Sequence, residues 1–381
     1  MIAASHRAGP LAGLQVVELA GLGPAPLAGQ LLADLGAAVT VIDRASAAQD
    51  STDVNRRGKR SIALNLKADA GRAMALRLIA NADALIEGFR PGVMEKLRLG
   101  PADCHAVNPR LIFTRITGWG QDGPLARRAG HDLTYLALSG ALAAIGPEAG
   151  QPVPPLNLVA DYGGGTMFAL FGLLAALHER QISGRGQVVD AAMLDGVVAM
   201  TGIFHAFAAS GEWTSQRASN LLDGGAPFYR CYGTRDGKSV AFAALEPQFF
   251  AEFCRIAGLD PAWTGRQYDR AQWPALGALL ERLFASRDRD EWDRLFADSD
   301  ACVAPVLTFD EVAAYPHNAA RGLLVEGGDM AQPAPAPRFS RTPAAPPPAP
   351  GAAGQDRDAL LAELGSTAEQ IGALVDEGTL T

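Results

Sequence analysis

Between Leu14 and Arg44 the chain alternates short apolar runs with polar breaks in a way that predicts a strand–helix–strand unit. GLQVVELA reads as a buried strand, GLGPAP as a tight turn, LAGQLLADLGA as a helix, and AVTVIDR as a second strand ending in an acid. SIALNL from Ser61, the helical GRAMALRLIANA from Gly71, ALIEGF from Ala84 and RLIFTRITGWG from Arg110 continue the alternation. Strands trading with helices predict an α/β protein whose large domain is a Rossmann-like, doubly wound parallel sheet. From Asp161, DYGGG leads into an apolar helix, TMFALFGLLAALHER, then a GRGQ turn and VVDAAMLDGVVAM, whose type the pattern leaves open. FYRCYGTRDGKSVAFAAL reads as a hairpin turning at Asp236 and Gly237, and Pro247 to Phe296 as mostly helical, which together predict a smaller α+β domain. Residues 331–350 hold eight prolines and should run extended, and the last 26 residues give one or two helices. The expected division is 1–208 for the large domain, 209–226 a linker, 227–310 the small domain, 311–350 a Pro-rich return linker, and 351–381 C-terminal helices on the large domain.

Composition narrows the function classes. With 381 residues, 48% apolar and 19% charged, the chain can bury a sizeable core, which excludes disorder for most of it. A formal charge of -8 is the wrong sign for a general nucleic-acid or anionic-membrane binder. The four cysteines, Cys104, Cys231, Cys254 and Cys302, form no CxxC pair, so a zinc ribbon, a redox dithiol or a disulfide framework is not expected, and a reducing cytoplasm is. No metal is expected either. MIAASHRAGP has no apolar leader core, and the greasiest run, Met167 to Leu177, spans 11 residues before His178, Glu179 and Arg180, so no membrane span is expected.

Several residues could carry chemistry. Gly21-Leu22-Gly23-Pro24-Ala25-Pro26, with Asp43 ending the next strand, imitates a dinucleotide fingerprint, but Pro26 replaces its third glycine; a proline-stiffened turn outweighs an NAD site. Arg44, Arg56, Arg57, Lys59 and Arg60 form a basic strip that could neutralise phosphates, the plainer reading being a solvated loop. Arg90 follows the strand ALIEGF, where α/β sheets present ligand contacts. His131 lies in AGHDLTY beside Asp132, and histidine is the residue type whose unperturbed pKa is closest to neutrality. Asp161 precedes three glycines at a helix start, so it reads as a cap or as a carboxylate beside exposed amides able to receive an oxyanion. Glu246 reads as a helix N-terminal acid.

AGLGPAPLAGQLLADLGAAVTVIDR, EGFRPGVMEKLRLGP, TGWGQDGPLARRAGHDLTY, PPLNLVADYGGG, GRGQVVDAAMLDG, NLLDGGAPFYR, ALEPQFF and DACVAPVL together resemble the α-methylacyl-CoA racemases, a branch of the family III CoA-transferases. The likeness runs roughly from Gly9 to Thr342, and NLLDGGAPFY and AGHD look most like the racemase branch. It implies a CoA thioester site rather than an NAD site, with CoA part of the substrate and no separate cofactor. It also implies that His131 and Asp161 are the acid/base pair, with Glu246 near the histidine. Arg44, Leu64, Asn65, Leu66, Lys67, Gly88, Phe89, Arg90, Lys96, Gly130, Asp132 and Tyr135 fall where the family contacts CoA. Family members are interlocked homodimers, which the resemblance carries over as an expectation.

The implied reaction interconverts (2R)- and (2S)-2-methylacyl-CoA by moving one proton off and onto the α-carbon through an enolate. Two bases must then flank one carbon, and unlike groups serve if the site tunes them toward each other. The helix amides near Asp161 are expected to meet the enolate oxygen. The runner-up is a CoA-transferase of the same fold in which Asp161 is the nucleophile. A nicotinamide oxidoreductase rests on the Gly21 to Asp43 pattern alone, and a non-enzymatic CoA-binding protein would leave the acid and base unused.

Overall fold

The computed structural model describes residues 8–44, 52–327 and 330–380, so the opening MIAASHR lies outside the described residues. They group into two compact units. The larger takes Met1–Ser139, Leu156–Met200 and Pro316–Thr381, the smaller Gly140–Pro155 and Thr201–Tyr315.

The larger unit is built on six parallel strands: β1 (Gln15–Leu19), β2 (Ala38–Asp43), β3 (Arg60–Ala63), β4 (Ala84–Glu87), β5 (Ile112–Thr117) and β6 (Gln187–Ala192), in the order β3-β2-β1-β4-β5-β6. That is a doubly wound arrangement, and its order reverses between β1 and β4, which pair at Val16↔Ala84. Every residue of β4 (ALIE) and β5 (IFTRIT) is buried, as parallel strands covered on both faces require. VVDAAMLDGVVAM, open from the sequence, divides into β6 and the helix Met193–Met200. One core joins Val17, Leu19, Ile62 and Leu85 to Met74, Leu78 and Ile79 of the helix Asp69–Ala80, and Leu360, Leu361 and Leu380 enter it from the C-terminal region.

Two features of this unit depart from the sequence expectations. The helix foreseen after the glycines begins earlier: Leu158–Met167 is a π-helical segment running directly into the helix Phe168–Ser183. The continuous run Leu158–Ser183 has 26 residues and includes an 18-residue stretch of mean hydropathy 1.4, long and apolar enough to cross a bilayer by length and composition, whereas the apolar run expected from the sequence was Met167 to Leu177. It also packs against β5 and β6 of the sheet. The region 311–350 is in part strand, since Leu324–Gly327 pairs antiparallel with Met330–Pro333 and Arg57 bridges Pro350.

The smaller unit has three antiparallel strands, β7 (Tyr229–Gly233), β8 (Ser239–Ala243) and β9 (Val303–Pro305). The hairpin turns over Thr234–Lys238, around the foreseen Asp236 and Gly237. Its core is aromatic: Phe228, Tyr232, Phe242, Phe250, Phe253, Phe284, Trp292 and Phe296. Residues 209–226, expected as a linker, are part of this unit. Asn220, 1% exposed, closes a turn with Thr214, Gln216 and Asp223, and Arg217 donates to the carbonyls of Pro147 and Gly150, which brings Gly140–Pro155 into the same unit.

Candidate active site

The carboxyl ends of the parallel strands open on a cavity of about 1270 Å³. Its lining follows the strand ends in turn: Leu19–Pro24 after β1, Ile42–Arg44 at β2, Leu64–Lys67 after β3, Gly88–Pro91 after β4, Ile116–Trp119 at β5 and Met193 after β6. It therefore spans the crevice where the strand order reverses, the usual ligand position in such sheets. The volume exceeds the ~300–1,000 Å³ common for drug-sized ligands, so it suits an extended one. His131, Gly130 and Tyr135 line the same cavity, as does Asp161.

Asp161 lies within the π-helical segment, whose N-cap is Asn157, so it is not the cap that its sequence position offered. Burial raises its carboxyl pKa, and the neighbouring Asp132 raises it further; a hydrogen bond from the Asn157 side chain and the imidazole of His131 oppose them. A β-carbon at Gly23 would stand 3.5 Å from Asp161 Oδ2, so the glycine turn after β1 faces this carboxylate across the cavity. His131 caps the helix Asp132–Leu138 through its backbone, its N–H meeting Thr134 Oγ1 at 3.0 Å, which leaves the imidazole to the cavity. Tyr135 packs edge-on to Trp119 at 4.7 Å. Its hydroxyl pKa is raised by burial and then by Asp161, against the pull of Arg90.

Asp132 does not line the cavity, against the expected CoA contact. It is 7% exposed, and its Oδ2 accepts from the N–H groups of both Ala160 and Asp161 at 2.8 Å. These are the helix-opening amides that the sequence offered to an oxyanion. The glycines after Asp161 are not a substrate approach either. Gly164 and Gly165 are buried, and a β-carbon at Gly164 would fall 2.5 Å from the Met193 carbonyl, so the stretch is small because the helix Met193–Met200 passes close by.

The dinucleotide pattern fails on the same physical grounds. Pro24 and Pro26 carry no N–H, so the first turn of the helix Pro24–Asp34 offers little to a pyrophosphate. Asp43, where a ribose would bind, is taken by Arg56 at 2.8 and 3.1 Å and by Ser61 Oγ at 2.5 Å. The basic strip is equally occupied. Arg57 grips Asp34 at 2.6 and 3.0 Å, Lys59 meets Glu18 at 2.5 Å, and Arg60 meets Glu363 at 2.8 Å. Burial pushes the Glu18 carboxyl up to about 7 despite Lys59.

Of the five strip cations Arg44 alone lines the cavity, joined there by Lys67, Arg90 and Arg128. All four are exposed, and among the described residues none has a carboxylate within ion-pair distance. Arg90 is carried by a turn fixed from below: Phe89 N–H donates to Glu87 Oε2 at 2.6 Å, and Glu87, fully buried, is held by Arg115 Nε at 2.7 Å. Burial raises the Glu87 carboxyl pKa, with the Phe89 amide and Arg115 opposing.

Lys96 is exposed and outside the lining, which its neighbours Val93 and Leu97 enter instead. Glu246 belongs to the smaller unit, as N-cap of the helix Pro247–Ala257. Arg128 and Trp119 were missed from the sequence; Arg128 stands three residues before His131 in ARRAGHD, and that proximity was its signal. Among the described residues no group of three or more His, Cys, Asp or Glu side chains is placed to hold a metal ion.

Comparison with known proteins places this arrangement. The chain is 45% identical to the α-methylacyl-CoA racemase of Mus musculus over 339 residues, 88% of each chain. It is 43% identical to the α-methylacyl-CoA racemase of Homo sapiens over 337 residues, again 88% of each. A crystal structure of a CAIB/BAIF family protein from Brucella suis superposes with a TM-score of 0.80 at 27% identity, over 94% of this chain and 100% of that one. The family model for CoA-transferase family III matches residues 11–357, and the chain belongs to that family.

Proposed function

We propose that the chain is an α-methylacyl-CoA racemase, interconverting (2R)- and (2S)-2-methylacyl-CoA thioesters by 1,1-proton transfer. The observation that carries this reading is that an imidazole, His131, and a carboxylate, Asp161, line one cavity at the sheet's switch point. The 45% identity to a racemase supports it. A thioester acidifies its α-C–H; one group removes that proton and the other returns one to the opposite face. Burial and Asp132 move the Asp161 carboxyl pKa upward, which makes it a stronger base than an ordinary carboxylate. In the half-reaction that starts from the Asp161 carboxylate, His131 is the acid, and its positive charge shares the cavity with the developing enolate.

The cavity cations Arg44, Lys67, Arg90 and Arg128 are proposed to take the phosphates of CoA, with Leu64–Lys67, Gly88, Phe89, Gly130 and Tyr135 as further contacts. Glu246 is proposed as a positioning carboxylate for the reaction. An interlocked homodimer is in keeping with the helix Phe168–Ser183, whose Phe171 and Ile182 are 74% and 81% exposed. All four cysteines are free thiols, which suits the cytoplasm.

The test is to incubate one pure enantiomer of a 2-methylacyl-CoA with the protein in heavy water. Loss of optical purity together with α-deuteration is expected, and His131→Ala and Asp161→Asn should each slow both by ~10²–10⁴-fold. Retention of the proton and of configuration would end the reading. A hydroxylamine-sensitive acyl group on Asp161, formed only with an acceptor acid, would put the CoA-transferase in its place.

A further inference from the structure

The Leu64–Lys67 wall of the cavity is not held by the sheet alone. Beyond β3, Leu64 forms an antiparallel bridge with Leu380, and the Asn65 N–H donates to the Thr379 carbonyl at 3.0 Å. Leu64, Thr379 and Leu380 are 2%, 3% and 1% exposed, and Leu380 sits in the same core as Ile62 and Leu64. The segment is itself fixed, since the N–H groups of Thr379 and Leu380 both reach the Leu374 carbonyl at the end of the helix Ala368–Asp376. On its other side the wall closes a short turn, with Lys67 N–H on Asn65 Oδ1 and Ala68 N–H on the Asn65 carbonyl. Leu64 and Asn65, both in the cavity lining, are therefore the residues through which Thr379 and Leu380 touch the wall.

We propose that Thr379–Leu380 is a positioning latch that keeps the Leu64–Lys67 wall in its ligand-binding shape. This rests on the reading that the cavity takes a CoA thioester. A wall that must be ordered at the moment of binding weakens binding by the fraction of time it is ordered beforehand, and leaves the bound state's chemistry unchanged. Opening the latch should thus raise KM and spare kcat. By linkage, ligand in the cavity should in turn hold the latch closed.

Leu380→Ala tests this, with Ile371→Ala as the control; Ile371 packs on the same core from the helix Ala368–Asp376 but takes no part in the bridge. Leu380→Ala is expected to raise KM for a 2-methylacyl-CoA on the order of tenfold at unchanged kcat. It should also speed hydrogen exchange at the Asn65 amide, while Ile371→Ala leaves KM as it is. In the unaltered protein, CoA should slow exchange at Asn65, Thr379 and Leu380, a measurement that does not depend on any variant folding. The latch is overturned by an unchanged KM with faster Asn65 exchange, by equal KM increases in the two variants, or by exchange at these amides indifferent to CoA. An unaltered protein that neither binds CoA nor exchanges the α-proton overturns the thioester reading itself, and the latch with it.

Discussion

Four cations crowd residues 56–60, and four others, Arg44, Lys67, Arg90 and Arg128, stand around the cavity. In the first group every cation has a carboxylate: Asp43, Asp34, Glu18 and Glu363 in turn. In the second group none does among the described residues, and all four face water. The difference follows from burial. Arg57 and Lys59 are 1% and 8% exposed, and a charge so placed persists only with a partner and satisfied hydrogen bonds. A cation left in water needs no partner and stays free to meet a ligand's phosphate. Charge density along the chain thus points to the wrong segment, and the supply of nearby carboxylates separates structural from ligand-facing cations.

The largest effect that would test this contrast is on stability. Arg57→Met leaves Asp34 buried without its cation and also strips the bonds to Gln332 Oε1 at 3.1 Å and the Pro333 carbonyl at 2.8 Å. Breaking a buried pair from one side should cost about 3–5 kcal/mol in urea unfolding, while KM for the thioester stays within about twofold. A large rise in KM with little loss of stability would return the strip to the binding site.

Arg90→Ala is the reverse experiment. A charge-assisted hydrogen bond contributes about 1.5–3 kcal/mol, so KM should rise roughly 10–100-fold, with unfolding free energy changed by less than about 0.5 kcal/mol. Added salt should weaken binding more in the unaltered protein than in the variant, because a solvent-facing contact to phosphate is screened. Equal salt dependence in both would show that Arg90 meets no anion.

Much of the larger unit was legible because its strands are short buried runs and its helices separate them, and that pattern depends on local spacing alone. What was not legible depends on distance along the chain. The strip's partners lie 13, 23, 41 and 303 residues away, so no window of sequence shows them together. Asp132 illustrates the same limit: beside His131 it reads as one more polar loop residue, and only the fold brings it to amides 28 and 29 residues on. The π-helical start at Leu158 was hidden by its own composition, since LVADYGGG looks like a loop before a cap and the glycines' reason lies on another helix. His131, Asp161 and Arg90 were picked out because each combines a reactive or charged group with a glycine- or proline-marked strand or helix end.

Asp132 is a third way of handling charge in this unit, a buried carboxylate that accepts from two amides and, among the described residues, pairs with no cation, and its removal should have the smallest effect. Asp132→Asn keeps an oxygen able to accept from Ala160 and Asp161 and deletes the negative charge. That charge, after burial, helps to raise the Asp161 carboxyl pKa from its ordinary value. In the direction where Asp161 removes the proton it must be ionised, so kcat/KM falls as pH drops through this raised pKa. Without the charge at 132 the Asp161 pKa falls, and the acid limb of the profile should move to lower pH, with the plateau rate changed only severalfold. A limb that stays in place would mean that burial alone sets the Asp161 carboxyl, and one that moves upward would mean that the two amides, rather than the charge, are what Asp132 provides to the site.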